Sequence, residues 1–267
     1  MRSKVGVGVF AALLLAGLLR PRAGPAFATS TYSPSHTGRT EARSLYAASR
    51  FLEAESAYQK CYWLAAAAGD PEEAFRCLNG IAGARFAMYQ YRGALRAYLQ
   101  ARRLAESLGR SDFLAAVHTN LSSLYLQQQD INAAAGAAED ALRVLRRAGS
   151  AGAGALPLTQ AAIIQARQGN LPASTRLFRE ALDEAYLRAD PATLGLIWDQ
   201  LGYELLLNGN LDEAETALVE AFRIRKLSGL KDLQYSYYTL GMLHLARNRP
   251  EEAARMAIEN DVHVVGA

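Results

Sequence analysis

Cysteine is nearly absent: Cys61 and Cys77 are the only two in 267 residues. Two thiols are too few for a disulfide scaffold or a four-ligand zinc site. Histidine is equally sparse. His36, His118, His244 and His263 lie far apart, with no His-x-x-x-His pair and no carboxylate cluster beside them, so neither a metal nor a cofactor is expected. No phosphate-binding Gly-rich loop, nucleophile elbow or dinucleotide fingerprint occurs. The glycines at 149–154 have no strand pattern before them and no Lys-Ser/Thr after them, and read as a linker. Nothing here points to catalysis, and the chain is expected not to be an enzyme. Only 8 prolines occur and β-branched residues are few, whereas Leu and Ala are plentiful. That balance favours helix.

Long apolar runs are missing as well, except at the start. Arg2 and Lys4 precede an uncharged run from Val5 to Leu19, and Ala26-Phe27-Ala28 follows. A basic start, a short apolar run and an A-x-A site make a secretory signal peptide over residues 1–28. Fifteen apolar residues fall short of the ~20 that span a bilayer. Arg20 and Arg22 are unusual in a signal, which leaves an uncleaved anchor as the alternative. The mature chain is expected to be exported, periplasmic or extracellular, with no membrane segment left. Loss of Arg2, Lys4, Arg20 and Arg22 takes 29 basic and 26 acidic residues to one net negative charge. A basic footprint for nucleic acid is therefore not expected.

What is present in quantity is repetition. Phe51-Leu-Glu-Ala54, Tyr91-Arg-Gly-Ala94, Ile131-Asn-Ala-Ala134, Leu171-Pro-Ala-Ser174 and Leu211-Asp-Glu-Ala214 recur every 40 residues, and Pro250-Glu-Glu-Ala253 follows after 39. Gly69, Gly109, Gly149 and Gly229 keep the same interval, with Ala189 in the missing place. Each unit reads as two helices. Trp198, Leu201, Gly202 and Leu205 share one helical face, Asn208-Gly209-Asn210 breaks the pattern, and Ala214, Leu218, Ala221 and Phe222 form a second stripe. Small residues recur where paired helices must approach: Ala82, Ser122, Ala162, Gly202 and Gly241 in first helices, and Ala54, Ala94, Ala134, Ser174, Ala214 and Ala253 in second ones. The predicted layout is a linker at 29–34, a solenoid over 35–260 and a tail at 261–267. The units lie near 35–70, 71–110, 111–150, 151–190, 191–230 and 231–260, the sixth cut short and the fourth entered through a frayed start at 149–156.

Trp198-x-x-Leu201-Gly202, Gly209-Asn210-Leu211-x-x-Ala214 and Ala221 resemble the tetratricopeptide repeat (TPR). Its usual period is about 34 residues. The 40-residue period looks like the repeats of kinesin light chains and the bacterial arrays that precede a caspase-like CHAT domain. The resemblance implies an all-α, right-handed solenoid of about six helix pairs that acts as a scaffold or adaptor. Its partner would be a protein or peptide, held in a concave groove lined by first helices. The alternative is the N-terminal repeat region of a larger CHAT-type peptidase-like protein. Neither cysteine has the Gln-Ala-Cys context of a caspase-like nucleophile. By the family's geometry, the first helices bring Arg39, Arg43 and Tyr46, then Arg76, Asn79 and Phe86, then Thr119, Ser123 and Gln127 to the groove. Thr159 and Arg167, Asp199 and Tyr203, and Tyr235 and Tyr238 continue the series. Gly80 and Ala116 stand where a carboxylate clamp would need polar groups.

Two features stay open at this level. Cys61 and Cys77 flank the turn near residue 69 by eight residues each, so they lie at similar height in an antiparallel hairpin. They are either small buried thiols or a disulfide that export would allow. The clusters Arg102-Arg103, Arg146-Arg147 and Arg223-Ile-Arg225-Lys226 close second helices, where cations offset the helix dipole, and read as solvated charge. Export is checked by mass spectrometry of the native protein. The expected N-terminus is Thr29 or a near neighbour, and an intact Met1 chain in the cytosol would overturn the assignment.

Overall fold

A computed structural model describes residues 34–150, 153–229 and 233–265, with side chains as far as Asp261. The segment 1–28 expected to be a signal peptide and most of the expected linker lie outside the described residues. Twelve helices and no strand occur among the described residues. They fall into two compact units, divided between Gly149 and Ser150. The first holds α1 (Pro34–Ala47), α2 (Phe51–Ala67), α3 (Pro71–Ala87), α4 (Tyr91–Ser107), α5 (Ser111–Gln127) and α6 (Ile131–Arg147). The second holds α7 (Ala155–Arg167), α8 (Leu171–Tyr186), α9 (Pro191–Leu207), α10 (Leu211–Leu227), α11 (Leu233–Ala246) and α12 (Pro250–Val265). Within each unit every helix packs on the next, and first helices also touch: α1 on α3 and α3 on α5, then α7 on α9 and α9 on α11. No helix among the described residues is long and apolar enough to cross a membrane.

The turns explain the register. A residue with positive φ ends helix after helix, at 49, 69, 89, 109, 129, 149, 169, 189, 209, 229 and 248. At Gly69 the chain closes a Schellman turn: Asp70 N–H donates to Ala65 O at 2.9 Å and Gly69 N–H to Ala66 O at 3.2 Å. Between pairs this residue is Gly, with Ala189 (φ 47°) the exception that the sequence pattern had marked. The next helix starts at once. Asp70 and Asp130 accept from the N–H groups of Glu73 (2.9 Å) and Ala133 (3.0 Å), and Pro71 and Pro191 occupy first-turn positions.

The small residues stand where the helices come closest. Ala54, Ala82, Ala94, Ala134, Ala162 and Ala214 are wholly buried. Ser122 Oγ donates across its pair to Ala134 O at 2.8 Å. At Gly202 an added Cβ would lie 2.6 Å from Leu218 Cγ and 3.2 Å from the Leu218 backbone nitrogen.

Two expectations are corrected. Arg225 is not solvated: Arg225 and Asp199 are both 0 % exposed and form an ion pair that joins α9 to α10. Arg225 Nη1 also donates to Ser236 Oγ at 2.7 Å, which brings in α11. Gly195 leaves room for this side chain, since a Cβ there would sit 3.1 Å from Arg225 Cγ. The neighbouring cations behave as expected: Arg223 Nε donates to Glu220 at 2.7 Å on the surface. The sixth pair is not cut short, because α12 continues through Asp261 to Val265, where a non-helical tail was expected. In keeping with the frayed start expected at 149–156, α7 begins only at Ala155 and has 13 residues, whereas the next first helix, α9, has 17.

Substituting Ala214→Leu would force α9 and α10 apart at this contact. The expected loss is about 1–3 kcal/mol in denaturant unfolding, felt chiefly by the second unit. A neutral result would mean that the assigned contact is wrong.

Candidate functional site

In the first unit, α1, α2 and α3 enclose a cavity of about 350 Å³. Five side chains expected in the groove line it: Arg39, Arg43 and Tyr46 from α1, and Arg76 and Asn79 from α3. Tyr58, Gly80 and Gly83, with Thr40, Ser44 and Ala47 of α1, complete it and were not anticipated as groove residues. Tyr58 comes from a second helix, and its ring reaches α3 only because residue 80 has no side chain. A Cβ on Gly80 would lie 2.5 Å from Tyr58 Cε1.

Most of the charge is held in place. Arg39 Nε donates to Glu73 Oε1 at 2.7 Å, with both side chains largely buried. Arg76 Nη2 reaches Glu72 at 3.0 Å and Nη1 reaches Glu73 at 3.6 Å. Glu72 also binds Arg110, whose guanidinium lies 4.3 Å from the Phe113 ring centre. Phe113 stacks on Phe75 with centroids 4.1 Å apart, so the ion network caps an aromatic contact between α3 and α5. Asn79 Oδ1 accepts from Asn120 Nδ2 at 3.0 Å. Burial pushes the Tyr58 phenol up to about 12, with Arg43 and Arg39 opposing, so it remains a neutral hydroxyl at physiological pH.

Cys61 and Cys77 form a disulfide from α2 to α3, with Cα atoms 5.9 Å apart. This settles the open choice in favour of the bond. The Glu73 carboxylate lies within 4.8 Å of both sulfurs, the one cluster of metal-ligand type among the described residues. Its sulfurs are bonded to each other and its carboxylate is taken by Arg39.

Five groove assignments are corrected because packing or helix geometry claims the side chain. Phe86 belongs to the core of the first unit. Thr119 and Ser123 are buried and turn their hydroxyls back to Ala115 O at 2.8 Å and Thr119 O at 3.3 Å. Asp199 is spent on Arg225. Thr159 likewise bonds Ala155 O at 2.7 Å. Tyr203 is largely buried, Gln127 and Tyr235 are half-buried, and Arg167 and Tyr238 are exposed. The sequence carries no sign of these choices, since one helical face holds both packed and open positions.

These helix pairs, with Gly202 against Leu218 and buried alanines at each contact, match solved structures over most of their length. RapI in its apo form aligns at TM-score 0.67 and 13% identity, over 90% of this chain and 88% of that one. NprR in complex with its cognate peptide NprX aligns at 0.62 and 13%, over 90% and 71%. A signal-transduction ATPase from Pyrococcus horikoshii with a tetratricopeptide repeat sensor aligns at 0.55 and 13%, over 85% and 36%. The fold is a TPR-type helical solenoid. No family model and no curated protein matches the chain, so the narrower likeness to kinesin light chains and CHAT-associated arrays rests on its repeats alone.

In the second TPR unit, Arg167 Nη2 lies 3.4 Å from Glu204 Oε1, and Glu204 is almost wholly buried. Burial raises the Glu204 carboxyl above its ordinary range, and Arg167 only partly opposes it. A folded-state value above the unfolded one gives stability that is complete below the unfolded value and declines as pH rises through the folded one. Glu204→Gln is therefore expected to leave the unfolding midpoint near its original value at acid pH and raise it at neutral pH. An equal shift at both would show that burial is not the governing cause.

Proposed function

We propose that this chain is an exported interaction scaffold that binds a protein or peptide along its first helices. One observation carries the reading: five side chains marked out for a groove by the repeat register line a single cavity in the first unit. Arg and Tyr are the side chains that most often dominate binding surfaces, and both are present there. NprR, which shares the fold over most of this chain, is seen with a bound peptide, in keeping with a polypeptide ligand here. The export half of the proposal rests on the N-terminal pattern. The alternative, the N-terminal repeat region of a larger CHAT-type peptidase-like protein, rests on the 40-residue period.

The test compares two faces of the mature protein. A partner is captured from the native envelope fraction, identified, and its affinity measured for Arg43→Ala in α1 and Trp63→Ser in α2. Arg43 is the cleaner groove probe, because Arg76 also holds Glu72 and lies 5.1 Å from the centre of the Phe113 ring. Trp63 is 69% exposed on a second helix. The expected result is roughly tenfold weaker binding for Arg43→Ala and little change for Trp63→Ser. The reverse pattern would move the binding surface to the second helices.

A further inference from the structure

Helix α4 opens with charges of the wrong sign for a helix start. Its first turn carries no acid, and Arg92 and Arg96 stand one turn apart in its first two turns. Cations near a helix N-terminus oppose its dipole, and like charges four residues apart repel. Both side chains are exposed, and neither meets a carboxylate among the described residues. Other second helices carry Leu52, Asn132, Pro172 and Asp212 at the place of Arg92, so the repeat does not require a cation there. The turn before α4 is unfavourable too. Tyr89 has φ 61°, where a bulky side chain is strained, and it is 61% exposed, so little packing offsets the strain.

These residues share a cleft. α2, the end of α3 and the start of α4 border an open space of about 490 Å³, lined by Arg85, Arg92, Arg96, Tyr89, Tyr91 and Glu55 among others. It has no lining residue in common with the cavity at Arg43. Arg85 enters from α3 by lying across Gly93, where a Cβ would sit 3.1 Å from Arg85 Cδ. Its Nε donates to Glu55 Oε1 at 2.8 Å, which leaves its terminal nitrogens without a protein acceptor among the described residues. Three guanidiniums against one carboxylate leave the cleft with two positive charges in excess.

We propose that this cleft binds a small phosphate monoester carrying a flat ring, its phosphoryl oxygens meeting Arg92, Arg96 and the terminal nitrogens of Arg85, its ring lying on Tyr89. A phosphate monoester bears close to two negative charges at neutral pH, which matches the excess. The planar guanidinium fork pairs with phosphate oxygens two at a time. The volume is that of a small-molecule site. The unfavourable charges of α4 and the strained Tyr89 are then explained by a ligand and not by the fold. The site stands apart from the cavity at Arg43, so it is independent of the scaffold reading.

Calorimetric titration of the mature, disulfide-intact chain tests it, with phenyl phosphate, inorganic phosphate and benzyl alcohol as probes. Phenyl phosphate is expected to bind saturably, at least about tenfold tighter than inorganic phosphate, and benzyl alcohol not to bind. Arg92→Gln combined with Arg96→Gln should weaken phenyl phosphate by about tenfold or more and leave the thermal unfolding midpoint unchanged or raised, because these cations oppose the helix. Tyr89→Gly should bring phenyl phosphate to the affinity of inorganic phosphate, again with no loss of stability. No saturation by phenyl phosphate at about 10 mM, equal affinity for the two phosphates, or binding untouched by the double arginine variant would each overturn the proposal. A lowered midpoint in that variant would overturn it as well, by giving the arginines a structural role. Arg43→Ala should leave this binding unchanged, and its loss there would overturn the proposal by moving the ligand to the other cavity. A chain that binds phenyl phosphate but captures no partner refutes the scaffold reading only.

Discussion

The close approach of paired helices is the constraint from which the rest follows. A side chain of one methyl group or less at the contact lets two backbones approach until larger neighbours interlock around them. Ala54, Ala82, Ala94, Ala134 and Ala214 are buried for this reason, and Ser122 turns the same closeness into a hydrogen bond to Ala134 O. Once the pairs are fixed, first helices fall beside first helices, and the recess of the first unit becomes possible.

The two units are fastened by different means. In the first, a covalent bond joins α2 to α3 and an ion network around Glu72 and Glu73 ties α1, α3 and the start of α5. In the second, Asp199 and Arg225 meet out of contact with water, and Ser236 and Thr239 add hydrogen bonds from α11. A buried ion pair contributes little net stability relative to a well-packed apolar substitute, yet breaking it from one side costs about 3–5 kcal/mol. It therefore penalises any arrangement of these three helices in which the charges do not meet. The first unit places charge beside an open recess, whereas the second consumes Asp199 internally.

The fold was legible because the repeat states it five times in register: turn glycines, small contact residues and first-turn prolines each predict one local geometry. The site was legible only in part. Arg39, Arg43, Tyr46, Arg76 and Asn79 were found through the register, but Tyr58 lies on a second helix and enters through the absence at residue 80. Asp199 and Arg225 are 26 positions apart and look like surface charges, since only packing determines that they meet. The last helix was misjudged because Asp261 and His263 are as compatible with a tail as with a helix face. The pairing of Cys61 with Cys77 was left open because height along a hairpin does not determine which way a Cβ points.

The turns have a consequence for how such a chain can change over generations. From α1 to α10 each helix is followed by one left-handed residue, at intervals of 20 positions from 49 to 229. A single inserted residue within a helix would rotate everything after it by about 100° and expose the contact alanines. Copying a stretch of 40 residues rotates nothing, because the copy begins and ends on the same turn. Gene duplication is therefore tolerated where small insertions are purged, which keeps the register strict. The one shortened interval, from 229 to 248, falls within the sixth pair, between α10 and α12.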